Sequence, residues 1–412
     1  MHPSSKPIRM HQLAVLALLA SPLTAALATN GYFSHGYGMK AKGMGGASVA
    51  MTDNAFAGAN NPAVAAWAGD RLELGVDVFM PERSMARSNA GPLTASVSSD
   101  SNTFVIPEFG YNKKLSETMG VGVTVYGNGG MNTDYAGGQI NCGGGAANML
   151  CGSGRLGVDL QQLIVAPTLA YKVSERSSMG VSALLVQQIF KADGLQAFGV
   201  QGSGYDSSNG LGLRLGYLGK VSDALTVGAS YAPKVSMSKL SKYAGLFAEQ
   251  GGFDIPESYT LGASFQATPS VLLAVDYERI GYSGVKSISN PSSNQAPLGS
   301  AGGPGFGWKD VDAWKLGLQW AVSPKLSLRA GINLGDNPVK GSDVSFNIVA
   351  PGVVTTHYTL GGTYALSDSS EISFSYMVAP SNTVSGPSMF AGTDSVKMSQ
   401  QSLGVQFGWH WK

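Results

Sequence analysis

The sequence SLGVQFGWHWK, residues 402–412, closes the chain and alternates between apolar and small or polar side chains. The apolar positions are Leu403, Val405, Phe407, Trp409 and Trp411. Successive side chains of a strand point to opposite faces, so this period of two predicts a β-strand with one apolar face. That face would lie on the core of a soluble sheet, but toward lipid in an outer-membrane barrel. The aromatic ending of the segment favours the barrel.

The N-terminus has the pattern of a secretory signal. Two basic residues precede the apolar run 13–20, and Ala-Leu-Ala at 26–28 fits a small-residue cleavage site. A membrane-anchor helix is the alternative, but the run is shorter than the ~20 apolar residues that a spanning helix needs, and Pro22 interrupts it. We therefore predict that residues 1–28 are a signal peptide and that any crossing of a membrane is made by strands.

The composition agrees with a barrel in lipid. Charged residues make up 13% of the chain, against ~25% in an average soluble domain. Glycine contributes 56 of 412 residues, nearly double its usual ~7%. A glycine-rich disordered chain would share these values, but it would lack sustained apolar alternation. Loss of the signal takes the formal net charge from +1 to about −1, so we expect no nucleic-acid partner.

The only two cysteines, Cys142 and Cys151, lie in one glycine-rich stretch, INCGGGAANMLCGSG. An exported chain meets oxidising conditions, so we expect a local disulfide that closes a loop. Two free thiols are the alternative. A metal site is disfavoured because no histidine or second cysteine pair lies nearby.

Fourteen segments share the period of two, and their connections are alternately short and long. The segments are 71–80, 103–112, 119–126, 158–172, 178–190, 210–219, 225–233, 258–266, 270–279, 312–321, 325–334, 355–365, 370–379 and 399–411. Bacterial outer-membrane barrels have tight periplasmic turns and long outer loops. The pattern therefore predicts an all-β fold, a 14-stranded antiparallel transmembrane β-barrel over residues 71–412, with both termini periplasmic.

An aromatic girdle is a second indication. Strands that descend toward the short turns should carry an outward aromatic residue near the lower membrane interface. Each of the seven descending segments has one, at Tyr111, Tyr171, Tyr217, Phe265, Trp320, Tyr364 and Trp409. A soluble β-sandwich or propeller would explain neither the girdle nor the alternation of the loops.

Residues 29–70 are rich in glycine and alanine, lack the alternation, and are too few for a secure core of their own. A segment that precedes a barrel can lie inside it as a plug. We therefore predict an N-terminal hatch over 29–70; a periplasmic tail is the alternative.

No catalytic, cofactor or metal site is predicted. The mature chain has three histidines, and the two in the barrel segments, His357 and His410, would lie about a membrane thickness apart, roughly 25 Å. The charged residues expected on the lumen face are Arg214, Lys315 and Arg329 against Glu108, Asp276 and Glu278. We interpret them as a ladder across the lumen that holds the wall open, although one basic member could instead meet a ligand carboxylate.

The segment KGMGGASVAMTDNAFAGANNPAVAAW, residues 42–67, resembles the hatch of the FadL-type outer-membrane transporters of long-chain fatty acids and aromatic hydrocarbons. The resemblance continues through PEFGYNKKLSETMGVGVTVY, FDIPESYTLGASF and HYTLGGTYALSDSSEISFSYM, and so covers essentially the whole mature chain. The hatch positions that it identifies are Gly45, Gly46, Asp53, Asn61, Pro62 and Ala63.

The resemblance implies passive uptake of a hydrophobic small molecule in a Gram-negative outer membrane. Substrate would be captured among the outer loops, passed to a lumen pocket against the hatch, and released as the hatch shifts. The family further implies a monomer, surrounded by outer-membrane lipid and lipopolysaccharide, whose closing strand is read by the barrel assembly machinery.

The family's capture groove lies in the loops after strands five and seven. Its candidate residues in this chain are Leu195, Phe198, Leu240, Tyr243, Leu246 and Phe247, the last four near helical spacing. Alternatively, these side chains staple their own loops.

Other functions stay open at this point. A general porin for small hydrophilic solutes, a structural or adhesive barrel and, with less support, a membrane lipase are the alternatives. The sequence does not distinguish fatty acids from aromatic hydrocarbons as substrates.

Overall fold

A computed structural model describes residues 30–411, so the predicted signal peptide lies outside the described residues. In that range fourteen strands form one closed antiparallel barrel, in which sequence neighbours pair and the first strand pairs with the last. In chain order the strands are β1 (Asp70–Ser88), β2 (Ala95–Ser98), β3 (Phe104–Lys114), β4 (Met119–Tyr135), β5 (Ile140–Asn141), β6 (Ala146–Ala147), β7 (Leu156–Ser174), β8 (Ser177–Asp193), β9 (Asp206–Lys220), β10 (Leu225–Ala232), β11 (Ser258–Thr268), β12 (Val271–Ile280), β13 (Val311–Ser323), β14 (Leu326–Gly335), β15 (Thr356–Ser367), β16 (Ser370–Pro387) and β17 (Thr393–Trp411). Strand β2 pairs only with the loop end of β1, and β5 with β6 forms a separate hairpin. The remaining fourteen strands are the barrel.

The helical segments are short. Within the described range, the three α-helical turns are α1 (Met39–Lys42), α2 (Ala248–Gly251) and α3 (Lys286–Ser289). Single 3-10 turns cover Pro62–Ala66, Gly91–Leu93, Gln196–Phe198, Ser241–Tyr243, Tyr282–Gly284, Gly341–Asp343 and Phe346–Ile348. Among residues 30–411, no helix has the length and apolar character needed to cross a membrane.

The predicted fold is confirmed, because each of the fourteen predicted segments coincides with one barrel strand. Several strands continue farther at their loop ends than the alternation indicated; β4 runs to Tyr135 and β16 to Pro387. At its loop end a strand extends beyond the apolar layer of the membrane, where strand pairing does not require an apolar outer face. The alternation therefore ends before the strand does. The irregular pattern of β8 also has a cause: Leu184 and Val186 are buried because this part of the lumen wall is apolar.

The outward face of the barrel carries a continuous set of exposed apolar side chains. Six of the seven predicted girdle residues are exposed, and Tyr111 is half-buried. In a soluble protein an exposed apolar surface of this extent would be a liability. On a transmembrane β-barrel, the outward apolar face is the surface that contacts lipid.

The hatch, residues 30–69, lies inside the barrel and is almost entirely buried. It hydrogen-bonds to wall residues on opposite sides of the lumen, including Glu108 on β3, Asp276 on β12 and Gln406 on β17. Strand β1 begins directly after it, at Asp70. A tail outside the barrel, the alternative considered above, does not occur.

Inward-facing glycines let the hatch backbone contact the wall directly. A Cβ atom built on Gly331 of β14 would overlap the amide nitrogen of Gly45, and one on Gly361 of β15 would lie 2.9 Å from the Cα atom of Gly43. The same holds for Gly120, Gly129, Gly180, Gly216, Gly228 and Gly317, whereas Gly404 leaves room for the Met39 side chain. Part of the high glycine content is therefore a requirement of packing a plug inside a narrow lumen.

Candidate functional site

Two hatch lysines are bound to wall carboxylates. The Lys42 ammonium lies 2.8 Å from Asp77 and 2.8 Å from Glu108, and all three side chains are at most 2% exposed. Lys40 lies 2.6 Å from Glu371 and 3.7 Å from Glu73. The cations belong to the hatch and the anions to β1, β3 and β16, so charge complementarity fixes the hatch in the lumen.

The wall also binds the hatch through hydrogen bonds. The Asp276 carboxylate accepts from the amides of Ser48 at 2.7 Å and Val49 at 3.0 Å. Asp53, a predicted hatch residue, lies 3.7 Å from Arg329 and 3.9 Å from Lys40. Burial raises the pKa of the Asp53 carboxyl, but the combined attraction of Lys40, Arg329 and Arg71 outweighs burial, so the pKa is lowered.

The predicted ladder across the lumen is wrong. Only Lys315 and Glu278 pair with each other among the six predicted charges, at 3.0 Å between neighbouring strands. Glu108, Asp276 and Arg329 contact the hatch instead, because the hatch fills the space that a ladder would have to cross. In the described part of the chain, no carboxylate lies within 4.0 Å of the Arg214 guanidinium.

The remaining predicted hatch residues fix the turns of this segment. Asn61 Oδ1 accepts from the Ala63 amide at 3.1 Å, which caps the Pro62–Ala66 turn. Its Nδ2 donates to the carbonyls of Val49 and Tyr217 at 2.7 and 2.9 Å. The Gly45 amide donates to Thr359 Oγ1 at 2.8 Å. Gly46 has a φ of +89°, where a Cβ would collide with the His35 carbonyl.

Cys142 and Cys151 form a disulfide with an S–S distance of 1.98 Å. The bridge closes the loop between β4 and β7, next to Leu150, which is 3% exposed. Leu150 contributes to the groove described next. The disulfide therefore braces one wall of that groove.

An apolar groove lies among the long loops. This outer groove is partly open to solvent, and concave apolar sites of this kind are where proteins usually bind small molecules. It is lined by Leu150, Val158, Phe190, Leu195, Phe198, Leu246, Phe247, Ser287, Leu298, Pro304, Gly305, Phe306, Ser345, Phe346 and Val349. Nearly all of the lining is apolar and five members are phenylalanine, so the groove suits an apolar or aromatic molecule.

Four of the six predicted groove residues line it: Leu195, Phe198, Leu246 and Phe247. Leu240 and Tyr243 do not, and the prediction for them is corrected. The Tyr243 hydroxyl accepts from the Ala192 amide at 3.0 Å and donates to the Gly204 carbonyl at 2.7 Å, so it staples two loops together. The helical spacing misled because only a single 3-10 turn, Ser241–Tyr243, forms there.

The groove residues that the sequence did not reveal come from other loops. Phe306 and Leu298 belong to the loop between β12 and β13, and Phe346 and Val349 to the loop between β14 and β15. They lie in loops without a repeating period, so no periodic signal marked them. The phenylalanines alone were the available hint.

A second cavity lies between the hatch and the upper wall. This hatch cavity is narrow, and it is lined by Tyr32, Phe79, Arg83, Gly130, Met131, Asn132, Trp308, Ala350, Pro351, Gly352 and Met398. Aromatic rings connect it with the outer groove: Phe247 to Phe253 at 4.8 Å between centroids, Phe253 to Tyr32 at 6.2 Å, and Tyr32 to Trp308 at 6.2 Å. Tyr32 is therefore the junction between groove, cavity and hatch.

The barrel wall is incomplete between β3 and β4. Their pairing begins only at Phe109 with Val125; among the described strands, Phe104–Glu108 pairs with β1 alone. Pro107 lies in the stretch that pairs with β1 but not with β4. It has no amide hydrogen to donate, which suits a strand edge. A bridge between Ser99 and Tyr135 closes the wall again farther up. We name this interruption the wall gap.

The hatch occupies the β4 side of the wall gap. Phe33 forms a bridge with Gly129, the Ser34 amide donates to the Asn128 carbonyl at 3.2 Å, and the Gly130 amide donates to the Tyr32 carbonyl at 3.2 Å. Gly130 and Tyr32 also line the hatch cavity. The N-terminal end of the hatch thus separates the cavity from the wall gap.

Comparisons with known proteins agree on one group. The family model described as "Outer membrane protein transport protein (OMPP1/FadL/TodX)" matches residues 15–409. Among solved structures, the Pseudomonas putida toluene transporter TodX is similar at a TM-score of 0.69 with 20% identity, over 93% of this chain and 100% of that chain. A Pseudomonas aeruginosa FadL homologue is similar at 0.70 with 13% identity, over 93% and 100%. The Ralstonia pickettii toluene transporter TbuX is similar at 0.64 with 19% identity, over 92% and 99%. A comparison with curated proteins finds no significant match.

Proposed function

This chain belongs to the outer membrane protein transport protein family (OMPP1/FadL/TodX), and on that premise we propose that it carries hydrophobic compounds passively across the outer membrane. The family is one of transport channels rather than enzymes. Long-chain fatty acids and aromatic hydrocarbons are the two substrate classes proposed. The hatch shifts during passage and then reseals the lumen.

The observation that carries this proposal is the apolar route from the outer groove to the hatch. Phe247 belongs to the groove, Phe253 bridges to Tyr32, and Tyr32 belongs to both the hatch and the hatch cavity. Burial of apolar area contributes ~25 cal/mol of binding free energy per Å². Because a small site buries little area, a series of small sites binds a substrate weakly at each step and does not trap it. A polar pore would need no such lining.

The wall gap supports a sideways exit. The segment Tyr32–Ser34 bonds to β4 beside the β3–β4 interruption, and Tyr32 also lines the hatch cavity. We propose that displacement of this segment opens the path from the cavity to the wall gap. Release down the lumen would instead require loss of the buried Lys42 and Lys40 ion pairs, so we propose the lateral route.

We further propose the orientation and partners of the barrel. The end with short turns and both termini faces the periplasm, and the long loops face outward among lipopolysaccharide. The protein functions as a monomer, and its closing strand β17 is recognised by the barrel assembly machinery. In this proposal the hatch is fixed against β1 and β3, and no second chain is needed to complete the route.

Uptake by whole cells tests the proposal. Cells that lack the protein, with and without the gene restored, would be offered labelled oleate, toluene and arabinose. Restoration should raise uptake of an apolar compound alone. A rise in arabinose would instead indicate a general porin with a leaky hatch, and no rise in any compound would favour a structural or adhesive barrel.

A further inference from the structure

His35 of the hatch and His357 of β15 form a buried pair of imidazoles at the interface between hatch and wall. Their ring centroids lie 5.9 Å apart, and the two ring planes differ by 7°. The residues are 2% and 0% exposed, and Nε2 of His35 has no hydrogen-bond partner among residues 30–411. His35 directly follows the segment Tyr32–Ser34, which bonds to β4 beside the wall gap. A change at this pair therefore acts next to the segment that we propose to move.

A row of wall side chains faces the pair without offering a counter-ion. Lys315 of β13 is opposite Asn333 of β14, which is opposite His357, so the three side chains share the lumen face. Gln400 of β17 is the polar side chain beside His357, and it is a neutral amide. In the described part of the chain, no carboxylate lies within 4.0 Å of the imidazole of His35 or of His357.

The charged groups that act on the pair are two ammonium groups. Lys42 belongs to the hatch and Lys315 to β13, and both repel a proton on His35. Their carboxylate partners on β1, β3 and β12 are already engaged, Asp77 and Glu108 with Lys42, and Glu278 with Lys315. A proton on either imidazole would therefore add a cation to a buried site that already holds two. A buried charge without a counter-ion is costly, so the closed barrel keeps the pair neutral.

We propose that the His35–His357 pair is an acid-sensitive latch, whose protonation separates the hatch from β15 and opens the barrel. The latch goes beyond the transport function proposed above, because it decides when the hatch moves and not which molecule passes. In the open barrel both rings reach water and bind protons below about pH 6.5. Since the open state then binds more protons than the closed state, a decrease in pH favours opening. Each pH unit below ~6.5 raises the ratio of open to closed barrels by up to about tenfold for each histidine, and about a hundredfold for the pair.

Single-channel recording tests the latch without any substrate. Purified barrels in planar bilayers are recorded from pH 7.5 to pH 4.5, and the logarithm of the ratio of open to closed time is plotted against pH. Below pH 6.5 the wild-type slope should approach two decades per pH unit. His35→Gln and His357→Gln should each reduce it to about one decade, and the double variant should be nearly flat. His410→Gln, at the far end of β17, is the matched control and should retain the wild-type slope.

The slope separates a latch from a merely structural pair. Variants that open more often at every pH but retain the wild-type slope would show that the histidines only pack the interface, and would overturn the inference. A wild-type slope that persists in the double variant would assign the pH dependence to the wall carboxylates and would also overturn it.

Folding and transport are controlled separately. Each variant is first checked for the heat-modifiable band of a folded barrel; if a glutamine variant lacks it, His35→Asn or His357→Asn takes its place, with the same slope expected. A wild-type barrel that stays closed down to pH 4.5 would contradict the latch whatever the variants do. Absence of any apolar uptake would overturn the transport function, whereas the slopes depend on the latch alone.

Discussion

The ammonium nitrogen of Lys42, on the hatch, lies 2.8 Å from a carboxylate oxygen of Asp77 on β1, and neither side chain is more than 2% exposed. Glu108 on β3 binds the same ammonium from the other side at 2.8 Å. The hatch therefore carries the only charge that neutralises this pair of wall carboxylates within 4.0 Å among the described residues. Removal of the hatch would leave these two acids without a counter-charge on the wall of an open lumen.

Lys42→Met should loosen the hatch. Loss of one partner of a buried ion pair typically costs ~3–5 kcal/mol, and the two acids would then repel each other. Single-channel recording in planar bilayers should show frequent openings to ions, where the wild-type barrel stays closed. Lys286→Met, which removes an exposed ion pair to Glu249 on an outer loop, is the control and should stay closed. If the Lys42→Met barrel opens no more often than the wild-type barrel, packing alone holds the hatch in place.

Leu246→Ser with Phe247→Ser should weaken apolar uptake. Both side chains line the outer groove. Full burial of one apolar side chain against a ligand contributes ~1.5–3 kcal/mol of binding free energy. We expect initial uptake at low substrate concentration to fall about tenfold, with an unchanged amount of folded barrel in the membrane. Tyr243→Phe removes two loop hydrogen bonds but no groove surface, so its uptake should match wild type. Equal loss in both variants would mean that loop order, not the groove, limits capture.

Gly129→Ala should displace the N-terminal end of the hatch. A Cβ atom at this position would lie within van der Waals overlap of the Tyr32 carbonyl oxygen, where the hatch pairs with β4. Hydrogen exchange followed by mass spectrometry should show faster exchange of the peptide that contains Tyr32–Ser34. Gly144→Ala introduces the same methyl group where, among residues 30–411, no atom beyond its chain neighbours lies within 4 Å, and should leave that exchange rate unchanged. Slow exchange in Gly129→Ala would contradict a mobile gate at the wall gap.

Acidification should destabilise the hatch through His35. Burial, followed by repulsion from His357 and Lys42, lowers the pKa of the His35 imidazole well below its usual 6.5. In the unfolded chain this side chain binds a proton below about pH 6.5, but the folded hatch resists protonation. The free energy of unfolding contributed by His35 is therefore full above that pH and falls as the pH decreases through it.

The melting temperature at pH 7.5 and pH 5.0 measures this effect. Wild-type protein should melt lower at pH 5.0, and His35→Gln should show a smaller decrease. His410→Gln, at the far end of β17, is the control and should retain the wild-type decrease. An identical decrease in all three proteins would exclude His35 as its source.

The fold could be predicted from the sequence because a strand that faces lipid on one side must alternate apolar and polar side chains with a period of two. Trp409 and Phe407 in SLGVQFGWHWK alternate with lumen residues, and that alternation persists wherever a strand crosses the apolar layer. Above this layer the requirement ends, so the extension of β16 to Pro387 was not predicted.

The site was predicted only in part, since its contacts join residues that are far apart in the chain. Leu246 and Phe247 could be identified from their loop, but Phe306 and Phe346 come from two other loops with no periodic signal. The charge of Arg329 was predicted to face the lumen, yet its partner Asp53 could not be, because that pairing depends on how the hatch folds inside the wall. Arg83 was missed since a buried arginine within a strand looks the same in sequence as an exposed one.

The location of a bound apolar molecule is the most direct test of the route from groove to hatch. Crystals of the protein would be soaked with 1-bromododecane, and anomalous scattering would locate the bromine atoms. The account predicts one peak in the outer groove near Phe247 and a second in the hatch cavity beside Tyr32. Peaks confined to the lipid-facing surface of the barrel, with both cavities empty, would contradict it.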